Sequence, residues 1–390
     1  MELTAHPASS RLAAPVASLP TKAHYPILDG LRGVAALLVV AFHVLETHST
    51  SHLDQVLNHG YLAVDFFFLL SGFVIGYAYD DRWPRMTLGD FFRRRLVRLQ
   101  PMIVMGMVVG AALFYAQASA LWPGIAAVPG WKLLLLTLIG CTLLPVPLAL
   151  DVRGWTEMHP LNGPAWSLFY EYIANILYAL VVRKFSNSAL TVLVVLAGAF
   201  LMHMALASPT GDVIGGWALT PAQLHVGFAR LLYPFFAGLL LFRVAKLTRV
   251  RGAFGWCSLL LIAVLVMPRV GGSSRLWLNG LYDSLSIILL FPLIIYLAAS
   301  GSIEGRFAGR LSKFLGDISY PIYITHYPLI YTYTAWVASH KPSPRAALPV
   351  GLLVFFGSIA LAYACLKLYD EPVRRWLHRK VLGAPATARG

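Results

Sequence analysis

Residues 28–47 read LDGLRGVAALLVVAFHVLET, an apolar run with Asp29 and Arg32 near its start and His43 near its end. About twenty mostly apolar residues cross a bilayer core as a helix, so this run predicts a membrane span. Of the 390 residues in the chain, 58% are hydrophobic and 12% are charged, whereas soluble domains carry roughly a quarter charged residues. So few charges cannot cover a globular surface. Soluble enzymes, collagen-like chains and disordered chains are therefore excluded, and we expect an all-α polytopic membrane protein.

Ten segments have the length and apolarity of a transmembrane helix, which predicts a bundle of about ten helices. They are 28–47, 59–79, 99–118, 164–183, 189–208, 222–242, 252–268, 279–299, 314–335 and 347–369. An eleventh apolar stretch, 131–150, contains Pro145 and Pro147 near its end. If it crossed fully, the basic residues from Arg243 to Arg251 would move outside, although Lys and Arg favour cytoplasmic loops. We therefore expect 131–150 to be re-entrant or interfacial on the outer side, with both termini cytoplasmic.

Charge and cysteine placement fit a membrane domain at 27–375. Residues 1–26 lack a continuous apolar core, so we expect a disordered cytoplasmic tail, and 376–390 should form a basic cytoplasmic tail. The net charge of +14 is spread between apolar blocks, a pattern that sets topology and does not indicate nucleic-acid binding. The three cysteines stand singly in apolar surroundings and predict neither a disulfide framework nor a metal site.

Five ionisable side chains fall within predicted spans, where they are costly and usually face the bundle interior. They are His43, Asp65, Glu171, Arg230 and His326, each on a different predicted helix and in its outer half. A single one could be structural, with His43 as a hydrogen-bonded core histidine or Glu171 as the ion-pair partner of Arg230. Five at comparable depth predict one site, and a histidine beside carboxylates suits general-base catalysis.

A second candidate site lies at the predicted inner end of the third span, where 91–101 read FFRRRLVRLQP. Arg95 and Arg98 are one helical turn apart, so both can project from one face. Arg94 and Arg32 belong to the same boundary. Guanidinium groups suit phosphate oxygens, which makes these four residues candidate phosphate ligands. The alternative is a purely topological role in which the charges keep a loop inside.

Six short motifs are spread along almost the whole chain. They are Leu28-Asp29-Gly30-Leu31-Arg32-Gly33 leading to His43, the Phe-rich Asp65–Phe73, Arg95-x-x-Arg98-x-x-Pro101, Pro164–Leu168 followed by Glu171, Leu315-Gly316-x-x-Ser319-Tyr320-x-x-Tyr323-x-x-His326, and Glu371-Pro372. Each motif alone is unspecific. Their ordered set, over residues 27–375, resembles membrane-bound acyltransferase family 3.

The resemblance implies a ten-helix enzyme of the cell inner (plasma) membrane. It would move an acyl group, commonly acetyl, from cytoplasmic acyl-CoA to a hydroxyl of a carbohydrate or lipid-linked glycan. It also implies that His43 and the Arg95/Arg98 pair are important for activity. We expect no metal and no permanently bound cofactor, with acyl-CoA as donor substrate and membrane lipids as surroundings. Because the sequence ends shortly after Pro372, we expect no fused C-terminal hydrolase-like domain.

In the leading interpretation His43 is the base that takes the proton of the acceptor hydroxyl. Glu171 or Asp65 would orient His43, and Arg230 or His326 would stabilise the developing oxyanion.

Substrate binding is assigned to Trp166, Ser167, Arg230, Tyr323 and His326. One alternative is a transporter that uses the buried His/Glu/Arg set as a relay, although the repeated halves common in transporters are not found in this sequence. Another is a non-catalytic assembly partner, which would leave the buried polar residues unexplained.

Overall fold

The computed structural model describes Lys22 and residues 24–382, so most of the predicted N-terminal tail and residues 383–390 lie outside the described part. These residues form α-helices joined by turns, short 3-10 segments and two π-helical segments, with no β-strand among them. The helices are α1 Pro26–Glu46, α2 Ala63–Tyr79, α3 Leu88–Leu113, α4 Gly130–Cys141, α5 Ala165–Leu180, α6 Asn187–Leu206, α7 Pro221–Val244, α8 Ala253–Val266, α9 Leu276–Leu285, α10 Phe291–Ala299, α11 Arg306–Thr325, α12 Tyr327–His340, α13 Pro344–Cys365 and α14 Glu371–Val381.

The expected all-helical membrane protein is confirmed, and the number of spans is confirmed only in part. Seven helical stretches among the described residues are long and apolar enough to cross a membrane. The other three predicted spans correspond to α5, α8 and the α11–α12 pair. Of these, α5 has 16 residues and α8 has 14. The count of ten crossings and the cytoplasmic termini therefore stay predictions.

The third helix begins earlier than predicted, at Leu88 and not at 99. Thr87 accepts a hydrogen bond from the Asp90 backbone, and the Asp90 side chain accepts one from the Thr87 backbone. This capping box fixes the start of α3. The arginine cluster 93–98 therefore lies within α3, in agreement with the one-turn spacing expected for Arg95 and Arg98.

His326 interrupts the predicted span 314–335. The structure has two helices there, α11 and α12, which meet at His326, and Pro328 follows in the first turn of α12. Proline cannot donate the backbone hydrogen bond of a continuous helix, which explains the break. At the other end of the chain, α14 crosses the predicted boundary at 375/376, so the first part of the predicted basic tail is helical.

Helix α4 packs along the side of α3 with most of its side chains at least partly exposed, and the chain then turns back. The Tyr115 hydroxyl just beyond α3 binds the carbonyl of Val128, whereas Gln100, near the middle of α3, binds the carbonyl of Cys141. The 12 residues of α4 measure about 18 Å, less than the thickness of a bilayer core. The following loop returns to the start of α5 through a hydrogen bond between the backbones of Val146 and Met158. The assignment of 131–150 as a re-entrant or interfacial segment on the outer side stays a prediction.

Two helix pairs, α1 with α11 and α2 with α7, pack backbone against backbone. A Cβ on Gly72 would lie 1.8 Å from the carbonyl oxygen of Phe235, and one on Gly238 would lie 1.9 Å from that of Leu69. A Cβ on Gly33 would lie 2.3 Å from a carbonyl oxygen of α11. Small residues allow such close approach of helices in membranes. This packing sets the framework on which the site is built.

We call the end of the bundle at which α1 begins the Arg32 end, and the end at which α1 finishes the His43 end. Orientation in the membrane can be tested with Ala207→Cys, just beyond α6 at the His43 end, and Lys246→Cys, just beyond α7 at the Arg32 end, in a background without native cysteines. Because the basic residues flank Lys246, we expect an impermeant thiol reagent to label position 207 from outside and position 246 only after permeabilisation. Labelling of both positions in sealed cells would contradict the arrangement.

Candidate active site

Two cavities occupy the bundle, one towards each end. The Arg95 cavity has a volume of about 750 Å³ and is lined by Arg32, Arg95 and Arg98 among others. The His43 cavity has a volume of about 550 Å³ and is lined by His43 and by residues of the loop that precedes α5. Val64 and Tyr323 line both cavities. The two spaces therefore meet at a constriction inside the bundle.

His43 lies near the end of α1 on the wall of the His43 cavity. Its Nδ1 is 2.7 Å from Oε2 of Glu46, one helical turn further along α1. Gln55 donates a hydrogen bond to the other carboxylate oxygen of Glu46 and holds it in place. A carboxylate accepts from Nδ1–H, so Nε2 is the basic nitrogen of the ring. No described residue binds Nε2, which leaves it available to a hydroxyl in the cavity.

Two residues of the break between α11 and α12 pack on His43. The His326 ring stacks on His43 with centroids 5.6 Å apart, and the Tyr327 ring meets it edge-on at 4.8 Å. Nδ1 of His326 donates to the Ile322 carbonyl, so Nε2 is an acceptor in the neutral ring. His326 therefore has no N–H to offer an oxyanion in that form, which weighs against the role suggested for it from the sequence. Tyr327, which lines the cavity, carries a hydroxyl group that can donate.

Asp65 and Arg230 form a fully buried ion pair that joins α2 to α7. Nη2 of Arg230 is 2.7 Å from Oδ2 of Asp65, and Nε is 3.2 Å from Oδ1. The same guanidinium donates to the carbonyls of Tyr61 and Gly215 and lies under the ring of Trp166. Arg230 and Trp166 line the His43 cavity, whereas Asp65 does not. The pair thus shapes the cavity wall, and Asp65 makes no contact with His43.

Glu171 belongs to the other cavity. Its Oε1 is 2.7 Å from Nη2 of Arg95, and Ser71 donates to the same oxygen. A buried guanidinium requires a counter-charge, and Glu171 on α5 supplies it to α3. The structure therefore does not bring Glu171 to His43 or to Arg230, and the predicted convergence of five ionisable residues is wrong in this respect. The hydrogen-bonded carboxylate of His43 is Glu46.

The other predicted phosphate ligands differ in their surroundings. Arg32 is paired with Asp29, at 2.8 Å between Nη1 and Oδ1. Arg98 lines the Arg95 cavity and has no carboxylate within ion-pair distance among the described residues. Arg94 lies outside that cavity, on a neighbouring groove that it shares with Arg98.

Tyr323 and Ser167 form the constriction between the cavities with Val64. The two hydroxyl groups are 2.7 Å apart, and Tyr323 also reaches the carbonyl of Pro164. The ring of Phe67 packs edge-on against the ring of Tyr323. A substrate that extends from one cavity to the other has to displace this tyrosine.

The loop that returns from α4 closes the His43 cavity. Arg153 stacks on the ring of Tyr331, 3.7 Å from its centroid, and donates to the carbonyl of Pro160. The Tyr331 hydroxyl donates to the carboxylate of Glu157, which lines the cavity. Burial raises the pKa of Glu157 to about 7. Its carboxyl group, on the wall of the cavity, can therefore change charge near neutral pH.

The sequence was compared with models of known protein families. The family model described as "Acyltransferase domain", of acyltransferase family 3, matches residues 25–367. The chain belongs to acyltransferase family 3. The resemblance found in the sequence is thus confirmed, and the protein is a multi-pass membrane acyltransferase by family. No solved structure matches this chain.

Three curated proteins show what the chain is similar to. "Protein 2 in picA locus" of Rhizobium radiobacter is 34% identical over 39% of this chain and 80% of its own length. Acyltransferase MdmB of Streptomyces mycarofaciens is 29% identical over 42% of each chain. A protein of Staphylococcus aureus strain COL, provisionally named an O-acetyltransferase, is 38% identical over 25% of this chain and 15% of its own length. The similarity to the last two thus covers less than half of those proteins.

Sequence reasoning missed three residues of this family 3 site: Glu46, Glu157 and Tyr327. Glu46 had a usable signal, since it lies at i+3 from His43 on the same helix face. Tyr327 follows His326 directly, but the break that turns it towards His43 is not visible in a helical pattern. Glu157 comes from a loop without periodicity and offered no signal.

The structural role of the Asp65–Arg230 pair is testable by Asp65→Asn. Loss of the counter-charge leaves a buried guanidinium, so we expect a loss of about 3–5 kcal/mol in stability. Asp317→Asn is the control, because Asp317 forms an exposed pair with Lys313 and should cost under about 1 kcal/mol. Denaturant unfolding in detergent measures both. Equal, small losses would contradict a structural role for the pair.

Proposed function

We propose that the protein is an integral-membrane O-acyltransferase of the cell inner (plasma) membrane. It takes an acyl group, acetyl in the first instance, from acyl-CoA at the Arg32 end and transfers it to a hydroxyl of a carbohydrate or lipid-linked glycan at the His43 end. The observation that carries this proposal is the pair of cavities that meet at Tyr323, one rich in arginine and the other holding the His43–Glu46 pair. The relatives named as acyltransferases support the same reaction class.

The donor enters with its phosphates at the arginines of the Arg32 end. Arg98 has no carboxylate partner among the described residues and is therefore free to bind phosphate oxygens. Arg95, by contrast, is paired with Glu171. Its guanidinium group therefore contributes positive potential to the cavity but is not free to bind phosphate through two N–H donors. From Arg32 to His43 the rise along α1 is about 17 Å. A pantetheine arm is of comparable length and can carry the thioester through the constriction.

At the His43 end the acceptor hydroxyl is deprotonated by His43 Nε2 while its oxygen attacks the thioester carbonyl carbon. A C–O bond forms, and negative charge develops on the carbonyl oxygen. Tyr327 lines this cavity, and its hydroxyl is the donor that we assign to that oxygen. The C–S bond then breaks, and His43 returns the proton to the sulfur of CoA. Glu46 stabilises the imidazolium between the two proton transfers.

The acceptor occupies the space under the loop that follows α4. Trp155, Glu157 and Trp217 line the His43 cavity there. Indole rings pack against the C–H faces of sugars, and a carboxyl group binds hydroxyls, so the lining fits a carbohydrate. The acceptor site is thus formed by the chain itself.

The base assignment is tested by His43→Ala and Glu46→Gln. His43→Ala should abolish transfer and leave acyl-CoA affinity within about threefold, because His43 lies in the acceptor cavity. Glu46→Gln keeps the shape but removes the charge that stabilises the imidazolium, so we expect a loss of about 10²-fold or more in kcat. Asp54→Asn is the matched control, since Asp54 binds only the exposed Thr50–Ser51 turn.

The readouts are free CoA released by purified protein and, in cells, the mass of surface glycans with and without the gene. Turnover within tenfold of normal in His43→Ala would refute the base assignment. Binding of acyl-CoA without CoA release in the normal protein would favour the transporter alternative.

The constriction is tested by Val64→Phe. A larger side chain between the cavities should block passage of the thioester and lower transfer at least about 10²-fold, while the CoA phosphates still bind at the Arg32 end. Val64→Ala widens the same point and should retain activity. Unchanged transfer by Val64→Phe would mean that the acyl group does not pass Val64.

A further inference from the structure

A basic groove lies beside the Arg95 cavity at the Arg32 end, between α2, α3 and α14. We call it the α14 groove; its volume is about 560 Å³. Besides Tyr79, its ionisable lining consists of one acid, Glu371, and six basic residues: Arg82, Arg94, Arg98, Arg374, Arg375 and His378. Within this set, only Arg94 and Arg98 of α3 are candidate phosphate ligands by sequence. The α14 members have no assigned role.

Helix α14 presents one face to this groove. Glu371, Arg374, Arg375 and His378 all line it and are spaced at i, i+3, i+4 and i+7. That spacing keeps the four side chains on one side of a helix. Lys380 lies half a turn away from this face at 100° per residue and does not line the groove. The same short helix therefore provides both a test residue and its control.

The one acid that lines the groove, Glu371, does not neutralise the arginines Arg98 and Arg375. Asp370 pairs with Arg374 at 3.0 Å, and Glu371 pairs with Lys367. Arg375 donates only to the backbone carbonyl of Glu371, and no carboxylate lies within ion-pair distance of Arg98 among the described residues. Guanidinium groups that share a cavity repel each other, and a polyvalent anion relieves that repulsion.

The α14 groove is continuous with the Arg95 cavity. Arg98, Glu371 and Arg374 line both spaces. On α3, Arg94 and Arg98 are one turn apart and face the groove, whereas Arg95 turns to Glu171. A ligand held in the groove by several phosphates can therefore extend an uncharged arm past Arg98 into the Arg95 cavity.

We propose that the α14 groove binds the phosphorylated nucleotide end of the acyl-CoA donor, with Arg375 and Arg98 as phosphate ligands. This inference rests on the proposed function, since it requires acyl-CoA as donor. It makes α14 part of the donor site and not a mere basic tail. The arm then leaves the groove beside Arg374 and enters the Arg95 cavity.

The test compares Arg375→Ala, Arg375→Glu and Lys380→Ala with the normal protein, all purified in neutral detergent. The probes are acetyl-CoA and adenosine 3′,5′-diphosphate, which carries phosphates but has no arm. We expect Arg375→Ala to weaken the affinity for both probes about tenfold and Arg375→Glu to weaken it further, because a charged hydrogen bond to phosphate is lost and then replaced by repulsion. Lys380→Ala should bind both probes normally.

At saturating donor the kcat of Arg375→Ala should be unchanged, since the lost contact is uniform in ground and transition states.

The outcomes distinguish failure of the proposed function from failure of the groove inference. If the normal protein binds no acetyl-CoA, the proposed function fails. If it binds and transfers, but Arg375→Glu and Lys380→Ala are indistinguishable from it, the groove inference alone fails.

The same variants in nanodiscs with phosphatidylglycerol test a lipid headgroup as the source of phosphate. Altered lipid association with unchanged acetyl-CoA affinity would also overturn the inference. Because Arg375 is exposed, its variants should fold, and their thermal unfolding should match that of Lys380→Ala.

Discussion

A charge buried in a membrane-spanning bundle needs a counter-charge, and this constraint determines which polar residues of the protein remain available for chemistry. Asp65 neutralises Arg230, and Glu171 neutralises Arg95. Each pair joins two helices that are distant in sequence, and each lies on the wall of a cavity. Two polar residues outside these pairs remain available for ligands. They are His43, whose Nε2 is unbound, at one end of the bundle and Arg98 at the other.

This division of labour separates binding from reaction along the axis of the bundle. Phosphate recognition needs positive charge that no carboxylate has already neutralised, and Arg98 offers it at the Arg32 end. Acyl transfer needs a base held in one tautomer. Glu46 holds His43 in this way, with 2.7 Å between its Oε2 and Nδ1 of the ring. Between them, Tyr323 and Ser167 close the passage by a hydrogen bond of 2.7 Å. Two chemically different environments can therefore exist within one bundle, with a passage that only a narrow, flexible arm can use.

Most of the helices could be predicted from the sequence because apolar length is a local property. The start of α3 was missed because the predicted span was bounded by its apolar residues, although Thr87 and Asp90 carry a capping pattern. The partner of Glu171 could not be predicted: depth along a helix says nothing about which neighbour a side chain faces. His43, Arg95 and Arg98 were found through family motifs and burial, whereas Glu157 depends on a loop whose path is set by contacts with α12, such as that of Tyr331.

The central claim is that one donor molecule spans both cavities, with its phosphates at the Arg32 end and its acyl group at His43. An experimental structure of the protein with a thioether analogue of acetyl-CoA, which cannot be cleaved by transfer, tests this most directly. The account predicts density for the phosphates near Arg98 and Arg375, the arm passing between Val64 and Tyr323, and the acyl-mimicking group within contact of His43 Nε2. A nucleotide in the His43 cavity, or an acyl group that stays on the Arg95 side of Tyr323, would contradict it.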